Sequence, residues 1–446
     1  MTFLFTLQFV HPNKGYSIEV IRGSEIAERV YSFGYSITYY YHLASFFFIL
    51  SFGAFFRELI LKRKQLTTYM TRVLLGTVIV WTAFLGIGLY SSSRFSPYFQ
   101  LSLVWLWQYS FMYFVATGIC LGLMTQPRFK KYLMITISGV LCTQFVVSML
   151  QLIFQRSVGL PFEAFSAGTF ATGLDENNAV FRVMATFMMA NQLALVVGLL
   201  SSLLLPYALQ KKSILYSVIA CFGFITIILT QSRSVMIGSA LVVLLNLRVY
   251  SAEVLFLLRK VGIKRIAFLA LSAFILSAFS LIPRVILSVN TGYEGAGLAI
   301  RLRMFEEAIE AIIGSPLVGY GVGTNEYVLH RLFPDGVMSV FPAVVHMTFL
   351  QLWLEIGLVG LIILLLPFLY LLRFAIVVGR KYSSHKYFRL GYIGGLLLNI
   401  VFWIFLPHIG IVEFPFLGIV LGFGGYWYYL SVSVKGKDEK TIKENS

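Results

Sequence analysis

The sequence predicts an all-α polytopic membrane protein of about 11–12 transmembrane helices with one large outer loop. The first observation is composition. Hydrophobic residues make up 58% of the 446, charged residues only 12%, and the mean hydropathy is +0.83. A soluble domain needs more polar surface than that. The second is length: apolar stretches of roughly 17 to 25 residues recur along the chain, enough to cross about 30 Å of hydrocarbon as helix. The third is charge order, because the basic clusters fall in alternate gaps, as they do when Lys and Arg fix orientation. The strands of a membrane β-barrel would instead give short segments of alternating hydrophobicity.

The expected spans lie near 36–58, 71–91, 99–124, 132–155, 183–208, 213–230, 234–248, 265–283, 347–372, 388–407 and 412–433. The seventh is short, and a short span tilts little or dips only partway. This divides the chain into an outer N-terminal segment (1–34), helices (35–283), a large extracytoplasmic loop (284–346), further helices (347–433) and a cytoplasmic tail (434–446). The clusters Lys62 to Lys64, Arg128 to Lys131, Lys211 and Lys212, Arg259 to Arg265, Arg380 to Lys386 and the tail from Lys435 then share the cytoplasmic side. Residues 3–10 are apolar but too short to cross, and lack the basic flank and cleavage site of a signal peptide. They read as the outer end of a twelfth helix whose start is missing; an upstream in-frame apolar extension supports this, and an immediate stop codon contradicts it.

The formal net charge of +16 belongs to orientation rather than to nucleic acid, so no nucleic-acid partner is expected. Cys120, Cys142 and Cys221 lie inside apolar stretches and suggest neither a disulfide framework nor a zinc site. No cofactor is expected. Lysine and arginine sort differently. Lys14 is the one lysine expected outside, whereas Arg94, Arg156, Arg182, Arg233, Arg284, Arg301, Arg303 and Arg331 all fall there. Solubility alone gives no reason to prefer guanidinium. Bidentate recognition of phosphate or carboxylate does.

The loop 284–346 is the place where a folded extramembrane element could form. From Arg301 to Ile313 it reads as an amphipathic helix, with Leu302, Phe305, Ala308, Ile309 and Ile312 on one face and Glu306, Glu307 and Glu310 opposite. Gly314, Ser315 and Pro316 end it. Arg301 and Arg303 are two apart on this helix, so they should not face the same way. Gly319, Gly321 and Gly323 follow at alternate positions in Pro316 to Asn325. Such spacing can turn successive N–H groups toward an anion, but no strand precedes it and no Walker lysine follows; a bare tight turn is the equal alternative.

His346 stands at the outer mouth of the ninth span. A lone interfacial His is usually a solvated polar group, yet its ordinary titration near neutrality suits a general base. Glu355 is nine residues deeper, about 13 Å at helical rise. A carboxylate there is functional or paired, and pairing with a helix neighbour is the simpler role. Arg182 opens one span, with Asn191 further along it, and Arg233 sits at the outer turn in Thr230 to Ser234. Each alone could be an interfacial anchor. Arg182, Arg233, Arg301 and Arg303 together could hold a lipid-carried diphosphate while a base beside them activates a hydroxyl. That is glycosyl transfer with a pyrophosphate leaving group, stabilised by preorganised donors. No acidic pair or His cluster with metal spacing faces this side, so no metal ligand is assigned.

These segments resemble the O-antigen polymerase and O-antigen ligase superfamily. The resemblance rests on Arg182 to Phe187 with Asn191, on Thr230 to Ser234, on Arg301 through Gly314 to Gly323, and on His346 followed by Glu355, Gly357 and Gly360. It covers roughly 180–375 in the family order. It implies a twelve-helix class C glycosyltransferase-like fold in the bacterial cytoplasmic (inner) membrane, with its active site facing outward. The implied donor is an undecaprenyl-diphosphate-linked oligosaccharide among membrane lipids, with a flippase and a chain-length regulator of the same pathway as further partners. By position, Arg233, Arg301 or Arg303 would hold the diphosphate and His346 would be the base or orient the acceptor; Glu355, Asn191, Gly321 and Gly323 would support them. Two features depart from the family: Met347 follows the His where Asn is frequent, and eleven spans are visible rather than twelve.

A metal-independent polysaccharide polymerase for capsule, exopolysaccharide or O-antigen is therefore the leading expectation. A ligase delivering finished glycan to an acceptor such as lipid A core would use the same donor. A transporter or lipid flippase would place its ionisable residues near the midplane and show related halves; neither pattern is visible here.

Overall fold

In the computed structural model the described residues are 68–96, 99–156, 158, 171–172, 180–187, 189–261, 293–340, 345–377, 385–406 and 413–444. The expected spans at 36–58 and 265–283, the N-terminal segment and the apolar run 3–10 lie outside them.

The described residues form an all-α polytopic membrane protein. Its helices are α1 (Thr68–Phe95), α2 (Phe99–Thr125), α3 (Phe129–Phe154), α4 (Ala190–Gln210), α5 (Ile214–Thr230), α6 (Arg233–Val249), α7 (Ser251–Val261), α8 (Tyr293–Gly314), α9 (Asn325–Leu332), α10 (Val337–Val340), α11 (Thr348–Val377), α12 (Lys386–Phe405) and α13 (Glu413–Glu444). A two-residue antiparallel pair, β1 (Ala171–Thr172) with β2 (Val180–Phe181), is the one strand pairing among the described residues. Six helices, α1, α2, α3, α4, α11 and α12, are long and apolar enough to cross a membrane. The bent pair α6 and α7 makes a seventh candidate, with a turn of 93° between its halves. The short seventh span of the sequence is thus a 17-residue helix that breaks sharply at Tyr250. α5 is equally short, at 17 residues.

α4 is buried along nearly its whole length and packs against α5 and α12, while α13 packs along α2. Gly418 and Gly422, one helical turn apart on α13, make the second contact possible. A Cβ at Gly418 would stand 2.5 Å from the Met112 carbonyl, and one at Gly422 would stand 2.7 Å from the Ile119 Cβ. Small residues at this spacing let membrane helices approach backbone to backbone.

The two ends of the bundle differ in charge. At one end Lys130 lies 6.0 Å over the Tyr387 ring, Lys386 4.2 Å over Tyr250 and Lys212 4.9 Å over Phe256, and Lys386 also pairs with Glu253 at 3.6 Å. The opposite end gathers the Arg182 segment, the α5–α6 turn, the glycine loop and the start of α11. Lysines cluster at the first end, whereas arginines occur at both, since Arg128, Arg259 and Arg389 accompany the lysines there.

Two local expectations change. The span expected from 183 begins as helix only at Ala190, because residues 182–187 form a buried turn in which Phe187 donates to the Met184 carbonyl and Ala185 is left-handed (φ 46°). The amphipathic helix begins earlier, at Tyr293, and is rotated: Met304, Glu307, Ala308, Ala311 and Ile312 are inside, while Leu302, Phe305, Ile309 and Ile313 are exposed. The cause is Glu307. Its carboxylate accepts from the Val337 N–H at 2.9 and 3.1 Å, which draws it inward, and the two alanines bring α8 close to α11.

Candidate active site

Gly357 divides α11. Its backbone (φ 68°, ψ 177°) lies in a region only glycine adopts, so the helix runs to Ile356, breaks and resumes. In an unbroken helix Leu358 and Val359 would donate to the carbonyls of Leu354 and Glu355. Here the segment Pro316 to Gly321 takes both sides of that exchange. Leu358 donates to Pro316 O (2.9 Å) and Val359 to Leu317 O (3.1 Å); Tyr320 donates to Leu354 O and Gly321 to Glu355 O, both at 2.9 Å. The N–H groups of Leu358 and Val359 and the carbonyls of Leu354 and Glu355 are thus all paired, as irregular chain inside a membrane protein requires. The approach tolerates no side chain. A Cβ at Gly319 would sit 2.5 Å from the Glu355 carbonyl, and one at Gly357 would overlap the Leu317 carbonyl.

The far side of the loop is sewn to α1 and α2 by serines. Val322 donates to Ser92 Oγ at 3.1 Å, Ser102 donates to Val322 O at 2.7 Å, and Ser91 donates to Glu355 O at 3.2 Å. Gly321 and Gly323 are both left-handed (φ 108° and 73°) and lie against Ser96 and the Trp105 ring. The equal choice between an anion-facing loop and a bare turn resolves into something else. The loop's N–H groups serve the broken helix and Ser92, while those of Gly323 and Asn325 face the Glu355 carboxylate.

Glu355 is 1% exposed. Its Oε1 accepts from Asn325 Nδ2 at 2.5 Å. Asn325, 3% exposed, also accepts from the Val345 N–H at 3.2 Å, directly before His346. On the other side of His346, Thr348 donates to the Leu406 carbonyl from both N (3.1 Å) and Oγ1 (2.8 Å). His346 itself is half-buried at the head of α11. A second carboxylate, Glu413, is buried and accepts from the Trp403 indole.

Glu326 follows Asn325 on α9 and is half-buried. Burial first and the neighbouring Glu355 charge second push its carboxyl up to about 7. The folded protein then holds a proton that the unfolded chain, near 4.5, has released. Glu326 therefore contributes stability that is full below about 4.5 and lost as pH rises through about 7. Glu326→Gln should remove this dependence, raising the thermal midpoint by a few degrees at about pH 8 and changing it little at about pH 5. Melting curves of the detergent-solubilised protein at both values test it; an equal shift at both would contradict it.

The arginines divide. Arg182, half-buried, donates from Nε to the Thr230 carbonyl (2.9 Å) and from Nη2 to Asn191 Oδ1 (3.1 Å). Thr230 ends α5, Gln231 turns through a left-handed cap (φ 57°) with its amide on Phe181 O (3.1 Å), and Arg233 starts α6. The structure therefore brings Arg182, Asn191 and the Arg233 turn together, with Arg233 exposed. Arg301 and Arg303 are both exposed on α8. Arg303 lies 3.6 Å from Glu307 with 63% of its side chain exposed, a pair of little strength.

Sequence reasoning missed the residues that hold these groups. Gln151 of α3 accepts from the N–H groups of Met184 (3.0 Å) and Ala185 (2.8 Å) and donates to the Ala185 carbonyl (3.0 Å). Gln144, two turns earlier, bonds Thr186. Two glutamines seven apart on one face of an apolar helix were the available signal. Ser91, Ser92, Ser102 and Asn325 gave none beyond their type.

Fold and site thus define a polytopic membrane protein with a broken helix clamped by a glycine loop, and with a half-buried arginine held against the end of α5. Residues 217–365, about a third of the chain, match a family model described as O-antigen ligase, which supports the resemblance to the O-antigen ligase and polymerase superfamily. It takes in Arg233, Arg301, Arg303, the glycine loop, His346 and Glu355, and leaves Arg182 and Asn191 outside. No curated protein matches the chain. The match supports a function of the O-antigen ligase or polymerase type, in a chain whose described helices are long and apolar enough to cross a membrane.

Proposed function

We propose that the protein is a bacterial cell-surface polysaccharide polymerase. It transfers glycan from an undecaprenyl-diphosphate-linked donor to the hydroxyl of an acceptor sugar at the outer face of the cytoplasmic membrane. The observation that supports glycosyl transfer is the family match across Arg233, the glycine loop and His346, which fits a polymerase and a ligase alike. In the proposed step the acceptor oxygen bonds to the anomeric carbon, the bond from that carbon to the diphosphate oxygen breaks, and the hydroxyl proton passes to His346. The lipid diphosphate leaves with the bond electrons, its charge met by arginine. A flippase and a chain-length regulator would be pathway partners.

Arg182 and Arg233 are the guanidiniums we assign to the diphosphate first, because one turn holds both. Arg182→Lys should lower transfer roughly 10- to 100-fold, since ammonium cannot bond Thr230 O and Asn191 as a planar fork and still face phosphate. Arg301→Lys should also impair transfer if Arg301 closes on the donor. Rates measured with protein level controlled check both; full activity of Arg182→Lys would make it an anchor only.

The family description itself favours a second reading, a ligase that moves finished glycan to lipid A core or another acceptor. A gel of cell-surface glycan separates the two. In a deletion strain, loss of polymerase leaves single repeat units, whereas loss of ligase leaves a full ladder on its lipid carrier.

A further inference from the structure

The proposal here rests on the reading of His346 as the group that receives the acceptor proton. His346 lies between a chain segment and a helix, and neither fixes a side chain at a loop–helix junction by itself. Two clamps do. Downstream, Thr348 bonds the Leu406 carbonyl at the end of α12 through both its N–H and its hydroxyl. Upstream, the Val345 N–H is held by Asn325 Oδ1, and Asn325 is itself turned by Glu355.

We propose that Asn325 is a positioning residue for His346, oriented by the Glu355 carboxylate in a buried Glu355–Asn325–Val345 chain. The direction of each bond is fixed by chemistry. A backbone N–H can only donate, so Oδ1 must face Val345 and the amide NH2 must face Glu355, where a carboxylate accepts. Both side chains are almost fully buried, so neither meets substrate, and their effect must travel through the backbone of residue 345. The same carboxylate is faced by the N–H groups of Gly323 and Asn325, which ties the chain to the glycine loop and the break at Gly357. The break therefore stops α11 two residues past Glu355, where the loop can reach both its carbonyl and its carboxylate. Displacement of a reacting group by about 1 Å can lower a rate about a hundredfold.

The test reverses the polarity of the bond. Glu355→Gln keeps a carbonyl acceptor for Asn325 and should lower kcat less than Asn325→Asp does. Asn325→Asp sets two carboxylates against each other and should lower kcat by about a hundredfold, with the donor KM within about twofold. The double variant N325D/E355Q restores a donor and an acceptor in the opposite sense, while the carboxylate introduced at position 325 still accepts from Val345. It should recover most of kcat. All three are measured at equal folded protein by size-exclusion profile. Wild-type kcat in Asn325→Asp, or no recovery in the folded double variant, overturns the proposal. His346→Ala is run beside them. Full transfer by that variant removes the base reading alone, and a further loss when Asn325→Asp is added to it shows that Asn325 acts by another route and overturns the positioning role.

Discussion

His346→Ala should abolish long-chain glycan while leaving folded protein in the membrane. General bases contribute roughly 10²- to 10⁴-fold to such transfers, and an alanine at 346 offers no group to take the acceptor proton. Folding should survive because backbone bonds on both sides of residue 346 hold this segment. These are the bonds of the Val345 N–H to Asn325 and of Thr348 to the Leu406 carbonyl. A ladder of wild-type length from the variant would remove the assignment. Residual activity that still rises with pH around neutrality would indicate another base.

Gly357→Ala should prevent folding. Alanine at φ 68°, ψ 177° is strained, and its methyl would overlap the Leu317 carbonyl. Strain and overlap together cost about 3 kcal/mol or more. The damage would spread, because four backbone hydrogen bonds between the loop and the broken helix meet within two or three residues of this position. Gly76→Ala is the control. A Cβ there, about two turns into α1, meets nothing within 4 Å and should be neutral or slightly stabilising. Recovery of monodisperse protein from detergent should fall for the first and hold for the second. Normal recovery of Gly357→Ala would mean that the break is not required.

Much of the fold was legible because span length and hydropathy are direct records of the bilayer. Each expected span on described residues is a helix, and the brevity of the seventh showed in its bend after Val249. The break in α11 was not legible. A glycine in an apolar run usually passes as a tolerated helix residue, and only the loop packed against it reveals its backbone. The turn before α4 was misread as helix for a related reason: Val183 to Phe187 is apolar, and the glutamines that capture its backbone lie some forty residues earlier. The face of α8 was misassigned because hydrophobicity alone put Leu302, Phe305 and Ile309 inside, whereas Glu307 has the specific partner. At the site, residue type and order singled out His346, Glu355, Arg182 and Arg233. Their supports were hidden, since Asn325 and Gln151 act through hydrogen bonds that no spacing encodes.

The claim at the centre is glycosyl transfer from a lipid diphosphate, and purified protein in lipid nanodiscs tests it most directly. Given a polyprenyl-diphosphate-linked repeat unit and an acceptor of the same repeat, the wild type should lengthen the glycan and release one lipid diphosphate per unit added. His346→Ala and Arg182→Lys should do so slowly or not at all. Failure of the folded wild type to release lipid diphosphate from this donor, or an unchanged rate in both variants, would contradict the account.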